Sequence, residues 1–260
     1  MANLFKAFIF KLRKDLTFKI TLLVGVGLAI MMTLLFLLIE KVTGEKMLNG
    51  QMMLLSAISP IQNFGIAIPV NLITFTILEF TQGTIRNKII SGCSKAQIYI
   101  SICLTGLVFT FALASVYVLL CFGLGSIFGG FDPNGVIAGT ATIEPYFIPK
   151  IILVAILSYT SITMFTLFFA TLFRNIGPTI PVVIVTLTFC YLVGTLLGTM
   201  FNNEVITWLQ RILNPLYAIS LINSGAMAQE TCIAACISNI VYASLFFVGG
   251  LIIFKKRDIK

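Results

Sequence analysis

Six apolar runs, each long enough to cross a lipid bilayer, constrain this chain more than any other feature of its sequence. A helix needs about 20 apolar residues to cross a hydrocarbon core of roughly 30 Å. The runs lie at residues 20–39, 54–78, 98–128, 149–173, 176–201 and 232–254. Only 10% of the 260 residues are charged, and the mean hydropathy is +1.06. The sequence therefore predicts an all-α, polytopic membrane protein with six transmembrane helices, folded as a single transmembrane domain over residues 1–260.

The distribution of basic residues predicts how the chain crosses the membrane. With a cytoplasmic N-terminus and six spans, thirteen of the seventeen Lys and Arg residues face the cytoplasm, and Lys41, Lys46, Lys150 and Arg211 lie outside. The reverse topology would break the positive-inside rule, so both termini are predicted to be cytoplasmic. The net charge of +8 fits span-end cations that meet anionic lipid headgroups, and nucleic acid is not expected as a partner.

The first 18 residues have the pattern of an amphipathic helix. Apolar residues recur at helical spacing, at Phe5, Phe8, Ile9, Leu12 and Leu16, while cations occupy other faces. We expect a helix over residues 1–18 that lies in the cytoplasmic interface of the membrane, with Lys6, Lys11, Arg13 and Lys14 as its cations. The alternative is that these cations are only a positive flank for insertion of the first span.

A short basic segment, residues 79–95, joins the second and third spans. The segment has the pattern of a short helix, with apolar residues on one face (Ile85, Ile89 and Ile90) and polar residues on the other (Arg86, Asn87 and Lys88). Gly92 is placed to end this helix. Glu79 lies at the end of an apolar run, where a carboxylate needs a partner or water. Arg86 or another cytoplasmic base is the expected partner. A compact polar helix held at the membrane face is suited to docking of a soluble protein.

Polar residues elsewhere are candidates for a transport pathway and for an external gate. The candidate pathway residues in spans two and five are Gln62, Asn63, Asn71, Thr74, Thr186 and Thr188. Each of them also has an interpretation as a helix-packing residue. Residues 202–231 are predicted to form short re-entrant or interfacial helices on the outer side, with Trp208, Asn214 and Pro215 as the candidate gate. The alternative is that this loop only anchors the chain in the interface.

The segment between the second and third spans resembles the coupling-helix region of type 2 ATP-binding-cassette (ABC) exporter permeases. The resemblance lies in an acidic residue, followed by residues 83–92, and then by Ser94 and Lys95, which lead into the third span. The resemblance extends over nearly the whole chain, from the amphipathic N-terminus to the basic ending at residues 254–258. It implies a docking site for a separate cytoplasmic ABC ATPase subunit, formed by Gln82, Gly83, Thr84, Ile85, Arg86, Asn87, Lys88, Ile89 and Ile90. It also implies that the chain pairs with a second copy of itself or a similar permease, in a bacterial cell membrane.

Enzymatic chemistry has little support in the sequence. The chain has no histidine, and its six cysteines form no C-x-x-C pair. It carries no G-x-x-x-x-G-K-[ST] phosphate-binding loop. No catalytic residue, metal site or bound cofactor is therefore predicted for this chain. By the resemblance, ATP and magnesium would bind to the partner ATPase.

The favoured function is the transmembrane subunit of an ATP-driven exporter for an amphipathic or hydrophobic substrate. The charge-poor spans suit such a substrate, drawn from the membrane or the cytoplasmic interface, and a peptide such as a bacteriocin or toxin is preferred over a drug or a lipid. Two alternatives stay open. One is an ion-coupled secondary transporter or channel, for which Glu79 is the sole candidate carboxylate near a span. The other is a membrane assembly subunit that does not itself transport.

Overall fold

All the regular structure that is described in this chain is α-helical. The computed structural model describes residues 2–44, 48–58, 67–131, 147–200 and 229–257. In these ranges the helices are α1 (Ala2–Lys14), α2 (Leu16–Thr43), α3 (Gly50–Ile58), α4 (Ala67–Thr81), α5 (Thr84–Ile90), α6 (Lys95–Gly129), α7 (Phe147–Phe173), α8 (Ile176–Met200) and α9 (Gln229–Lys256). The predicted all-α class is confirmed for these residues.

Four helices are long and apolar enough to cross a membrane. They are Leu16–Thr43, Lys95–Gly129, Ile148–Phe173 and Cys232–Lys256, and they match the predicted first, third, fourth and sixth spans. The chain therefore has the helices of a membrane-embedded protein.

The other two predicted spans, the second and the fifth, are described in part. Within 54–78 the described residues belong to α3 and α4, of 9 and 15 residues, and residues 59–66 lie outside the described part. The fifth predicted span coincides with α8, a helix of 25 residues with Pro181 in its interior, and Ile176–Cys190 is its described apolar stretch. The six-span topology thus depends on the apolar runs of the sequence at these two places.

Helix α6 is the central helix of the fold. At 35 residues it is about 52 Å long, which exceeds the hydrocarbon core of a bilayer. Its first turn is fixed by a capping box, in which Ser94 and Gln97 satisfy each other's backbone N–H groups. Helices α1, α2, α3, α7 and α9 all pack against it, while α9 makes its most extensive contact with α7. The start of α6 and the end of α6 define two opposite ends of the molecule.

Small residues allow α2 to pack closely against α6. Its buried residues are Thr21, Gly25, Ala29 and Thr33, spaced four residues apart on one face. Beside them, large side chains such as Phe18 and Leu22 are partly buried against the core, while others point away from the protein, and Leu23, for example, is 72% exposed. Small residues on a helix face allow close backbone approach in lipid, so this division gives α2 one protein face and one lipid-facing surface.

One hydrogen bond between hydroxyls joins α6 to α7 within the buried core. Thr163 Oγ1 donates to Tyr159 O at 2.7 Å, so in the 2.9 Å contact between Thr110 and Thr163 the donor is Thr110. We expect Thr110→Val to lower the free energy of unfolding by about 1 kcal/mol, because it removes that donor from a dry core. Unfolding in mixed detergent measures the loss. Thr160→Val is the matched control, because the Thr160 hydroxyl bonds to Ile156 O in its own helix. Equal losses in both variants would contradict the inter-helix role.

The end of α6 is packed backbone to backbone against the start of α3. Gly50 N donates to Gly130 O at 3.0 Å. A Cβ placed on Gly129 would lie 2.0 Å from Leu48 O, and one placed on Gly125 would lie 2.7 Å from Met53 Cγ. The approach of these two segments therefore requires glycine at residue 129, where the obstacle is backbone.

The N-terminal helix is shorter than predicted and is oriented differently. It ends at Lys14, since Asp15 caps α2 by accepting a hydrogen bond from Thr17 N, and Leu16 belongs to α2. Phe8 and Leu12, expected to face lipid, are 1% and 3% exposed and lie in the protein core. The prediction of a lipid-facing Phe8–Leu12 face is therefore wrong.

Candidate functional site

The α4–α5 elbow, residues 79–93, is a short helix held between two turns. Gly83 (φ 67°) and Gly92 (φ 90°) both adopt the left-handed conformation, which glycine tolerates best. Gly92 N donates to Ile89 O and Cys93 N donates to Lys88 O, the paired bonds of a Schellman motif. Gly92 therefore ends the helix as predicted, and α5 is fixed at seven residues.

Glu79, the first residue of the elbow, is the centre of an ion-pair network. Its side chain is 1% exposed. Lys11 Nζ lies 2.6 Å from Oε1, and Lys88 Nζ lies 2.8 Å from Oε2. Thr84 Oγ1 donates to Oε2 at 2.5 Å, and Lys11 Nζ also reaches Gln82 Oε1 at 3.2 Å. The network thus joins α1, the end of α4 and both turns of α5.

The charges around Glu79 keep it ionised. Burial acts to raise its pKa, but the hydrogen bonds from Lys11, Lys88 and Thr84 outweigh burial and hold the pKa below its ordinary value. A carboxyl whose pKa is lowered by folding stabilises the fold above its unfolded pKa. That stabilisation is lost as the pH falls through the lower, folded pKa. The network is therefore intact at neutral pH.

Lys88 faces the protein and not the solvent, which corrects the predicted helix face. Its Nζ lies 3.4 Å from the centroid of the Phe8 ring, a cation–π contact with α1 in addition to the ion pair. Ile85 is fully buried beside it and Ile89 is partly buried, while Ile90 is 74% exposed. The inward face is therefore Ile85, Lys88 and Ile89, spaced i, i+3 and i+4.

The outward face of α5 carries Arg86, Asn87 and Ile90, all exposed. Of the two expected kinds of partner for Glu79, Arg86 or another basic residue, the structure shows the second, because Lys11 and Lys88 take both carboxylate oxygens. Gln82 is exposed at the preceding turn. The elbow thus presents one cation, one amide and one large apolar side chain on a helix whose other side is fastened to the protein.

The same end of the molecule carries further ties between helices. Lys95 Nζ donates to the carbonyls of Lys255 and Arg257 at 3.2 and 3.1 Å, joining the start of α6 to the end of α9. Arg257 Nη1 donates to Leu172 O near the end of α7. The Arg174 guanidinium lies 5.0 Å from the centroid of the Phe80 ring at the end of α4. The elbow is therefore part of a layer that links α1, α4, α6, α7 and α9.

Most of the candidate pathway residues in the described part of the chain make their hydrogen bonds within their own helices. Asn71, Thr74 and Thr186 bond to carbonyls one turn earlier in their own helices, at 2.7–2.8 Å. Thr188 is exposed on α8. Gln62 and Asn63, together with the candidate gate residues Trp208, Asn214 and Pro215, lie outside the described residues. The pathway hypothesis therefore has no geometric support from these side chains.

Lys11 and Phe8 are the site residues whose roles sequence reasoning missed. Lys11 was assigned to the membrane interface, yet it lies between the buried Phe8 and Leu12 along one side of α1. Its position relative to these two apolar residues is the signal that could have placed it against protein. Among the described residues, no three His, Cys, Asp or Glu side chains are grouped as a metal ion would require.

No protein-family model matches the chain, and a search of curated proteins finds no similar sequence.

Proposed function

We propose that this chain is the transmembrane subunit of an ATP-driven exporter and that the α4–α5 elbow docks on a separate cytoplasmic ABC ATPase. The observation that supports this most is the difference between the two faces of α5, one in contact with the protein and the other exposed. Its inward face is fixed by an ion pair, a cation–π contact and a buried isoleucine, and its outward face leaves Ile90 74% exposed beside Arg86. Single exposed apolar side chains are ordinary on protein surfaces, so the support lies in the combination of Ile90 with an exposed cation on a helix that is fixed from behind.

The fastening of α5 suits it to transmit force. A partner that pushes on Arg86 and Ile90 moves a helix tied through Lys88 and Thr84 to Glu79. Glu79 is the end of α4, and its other oxygen holds α1. Closure of an ATPase pair with bound ATP and magnesium would therefore displace α4 and α1 together, which can bias the helices between two arrangements.

The ionic partners of Glu79 weigh against the ion-coupled alternative. A carboxylate that carries protons or sodium across the membrane must release its partners during each cycle. Glu79 is instead held by two ammonium groups and a hydroxyl, with its pKa lowered. A structural role for this carboxylate is consistent with an energy source outside the chain.

The proposed substrate is amphipathic or hydrophobic, with a peptide preferred. Large apolar side chains are exposed along α2, α8 and α9, for example Leu23, Phe189 and Leu245. Such surfaces face lipid or a second permease copy, and a substrate drawn from the membrane would meet no charged barrier on them. The functional unit is proposed to contain two permease chains, identical or similar, with both termini of each in the cytoplasm of a bacterial cell.

The test is purification of the tagged chain from its native membrane in mild detergent, followed by assay of bound ATP hydrolysis. The variant is Arg86→Glu with Ile90→Asp, which reverses the charge and removes the apolar contact without touching the inward face. We expect the variant to lose most of the associated ATPase activity while inserting and folding normally. Lys41→Glu, an exposed cation at the other end of α2, is the matched control and should retain it.

Two outcomes would contradict the proposal. If wild-type chain copurifies with no ATPase and supports ion-driven flux in vesicles, it is a secondary transporter. If an ATPase copurifies equally with wild type and variant, the docking surface is not α5. Lys88 is unsuitable as a docking variant, because its replacement would disturb the fold.

A further inference from the structure

The exposed face of α1 is cationic and aromatic, opposite to the apolar face that packs against protein. Its exposed residues are Lys6, Ala7, Phe10, Arg13 and Lys14. Phe10 is 59% exposed, and Lys14 Nζ lies 4.4 Å from the centroid of its ring. This face shares no residue with the Lys11–Glu79–Lys88 network on the other side of the helix.

The same surface continues onto the first turns of α2. Lys19 is exposed there, and Leu16 and Ile20 are 69% and 54% exposed. Asp15, the acidic residue between the two helices, accepts a hydrogen bond from Thr17 N and so caps α2. Four cations, Lys6, Arg13, Lys14 and Lys19, therefore surround exposed apolar side chains at the point where a helix long enough to cross a membrane begins.

We propose that this face binds anionic phospholipid headgroups, and that it holds α1 in the bilayer interface with Phe10 inserted among the acyl chains. Two observations carry the assignment to lipid. The cations complement phosphate charge, and the surface is continuous with the apolar surface that α2 presents outside the protein. The proposal requires no ATPase partner and is independent of the exporter function.

The contact also has a mechanical side. Since Lys11 on the opposite face of α1 bonds Glu79, a lipid-bound α1 fixes the elbow relative to the membrane surface. The interface that had been expected for α1 is thus made by a different face. Of the four cations first assigned to lipid, Lys11 is excluded, because it is directed to the protein.

Fluorescence quenching by brominated lipid tests the proposal on the full chain. The chain has one tryptophan, so Trp208→Phe combined with Phe10→Trp places a single reporter on α1. The protein is reconstituted in phosphatidylcholine vesicles containing about one fifth phosphatidylglycerol, with bromine on one lipid or the other. We expect quenching by both lipids, and stronger quenching per molecule by the anionic one. Each cation removed should reduce that preference by about fivefold at low salt. High salt should reduce it as well.

Replacement of Lys6, Arg13, Lys14 and Lys19 together by glutamine should abolish the preference, while Lys41→Gln at the other end of α2 should keep it. Equal quenching by both lipids in the unmodified background would show contact without recognition of charge and would overturn the proposal. Quenching by neither lipid would show that the face meets water or protein, and would overturn it as well. Both results would leave the ATPase-docking test unaffected.

Discussion

Replacement of Glu79 by glutamine is expected to detach α1 from the α4–α5 elbow and to lower the free energy of unfolding by about 3 kcal/mol. The carboxylate is 1% exposed and holds two ammonium groups. Its loss leaves Lys88, whose side chain is 21% exposed, charged and unpaired beside Phe8, and it leaves the two lysines repelling each other. The estimate is at the lower end of the range for breaking a buried pair, because Lys11 is 40% exposed and solvent screens its share.

Two measurements check this result. Hydrogen exchange of the α1 amides in detergent should accelerate, while exchange in α9 stays unchanged. Denaturant unfolding should report the stability loss. Glu40→Gln, a carboxylate near the far end of α2, is the control and should have little effect. If the network does not stabilise the fold, Glu79→Gln and Glu40→Gln will give the same exchange rates in α1. That outcome would refute the structural role of Glu79.

Gly129→Ala is expected to be about as damaging as the loss of Glu79, at the opposite end of the molecule. The added Cβ would lie 2.0 Å from Leu48 O and 2.5 Å from the Leu48 carbonyl carbon. Backbone cannot rotate away as a side chain can, so the segment leading into α3 must move. We expect the hydrogen bond from Gly50 N to Gly130 O to break and the free energy of unfolding to fall by about 3 kcal/mol.

Gly123→Ala is the matched control for this substitution. It lies in the same helix, and a Cβ built there meets nothing within 4 Å. Alanine favours helix over glycine, so this control should be neutral or slightly stabilising. Thermal unfolding followed by circular dichroism, with the monodisperse fraction on size exclusion, compares the two. Equal stability of Gly129→Ala and Gly123→Ala would mean that α3 does not pack on α6 as described.

The sequence alone was sufficient for the features that depend on local pattern. Apolar run length predicted the four long helices, and the spacing of Ile85 and Ile89 with a following Gly92 predicted α5 and its end. These features follow from bilayer thickness and from backbone preferences, which act over a few residues.

The pairing inside the candidate site depends on long-range contacts, which local pattern does not encode. Glu79 and Lys11 are 68 residues apart in the chain. Charge alone made Arg86 and Lys88 equivalent partners, and only the packing of α1 places Phe8 where it favours Lys88. Because α5 has three isoleucines among seven residues, the sequence also allows an apolar face that includes Ile90. The alternative faces differ by one position, and tertiary contacts decide between them.

The left-handed glycines at each end of α5 give its length an importance separate from its composition. One residue inserted between Gly83 and Gly92 would rotate everything after it by about 100° around the helix axis. Lys88 would then turn away from Glu79, and an exposed residue would take its place inside. Changes of length should therefore be tolerated far less in this segment than changes of its exposed side chains. During evolution the residue count of such a segment would stay constant, while its outer side chains could change together with the surface that they contact.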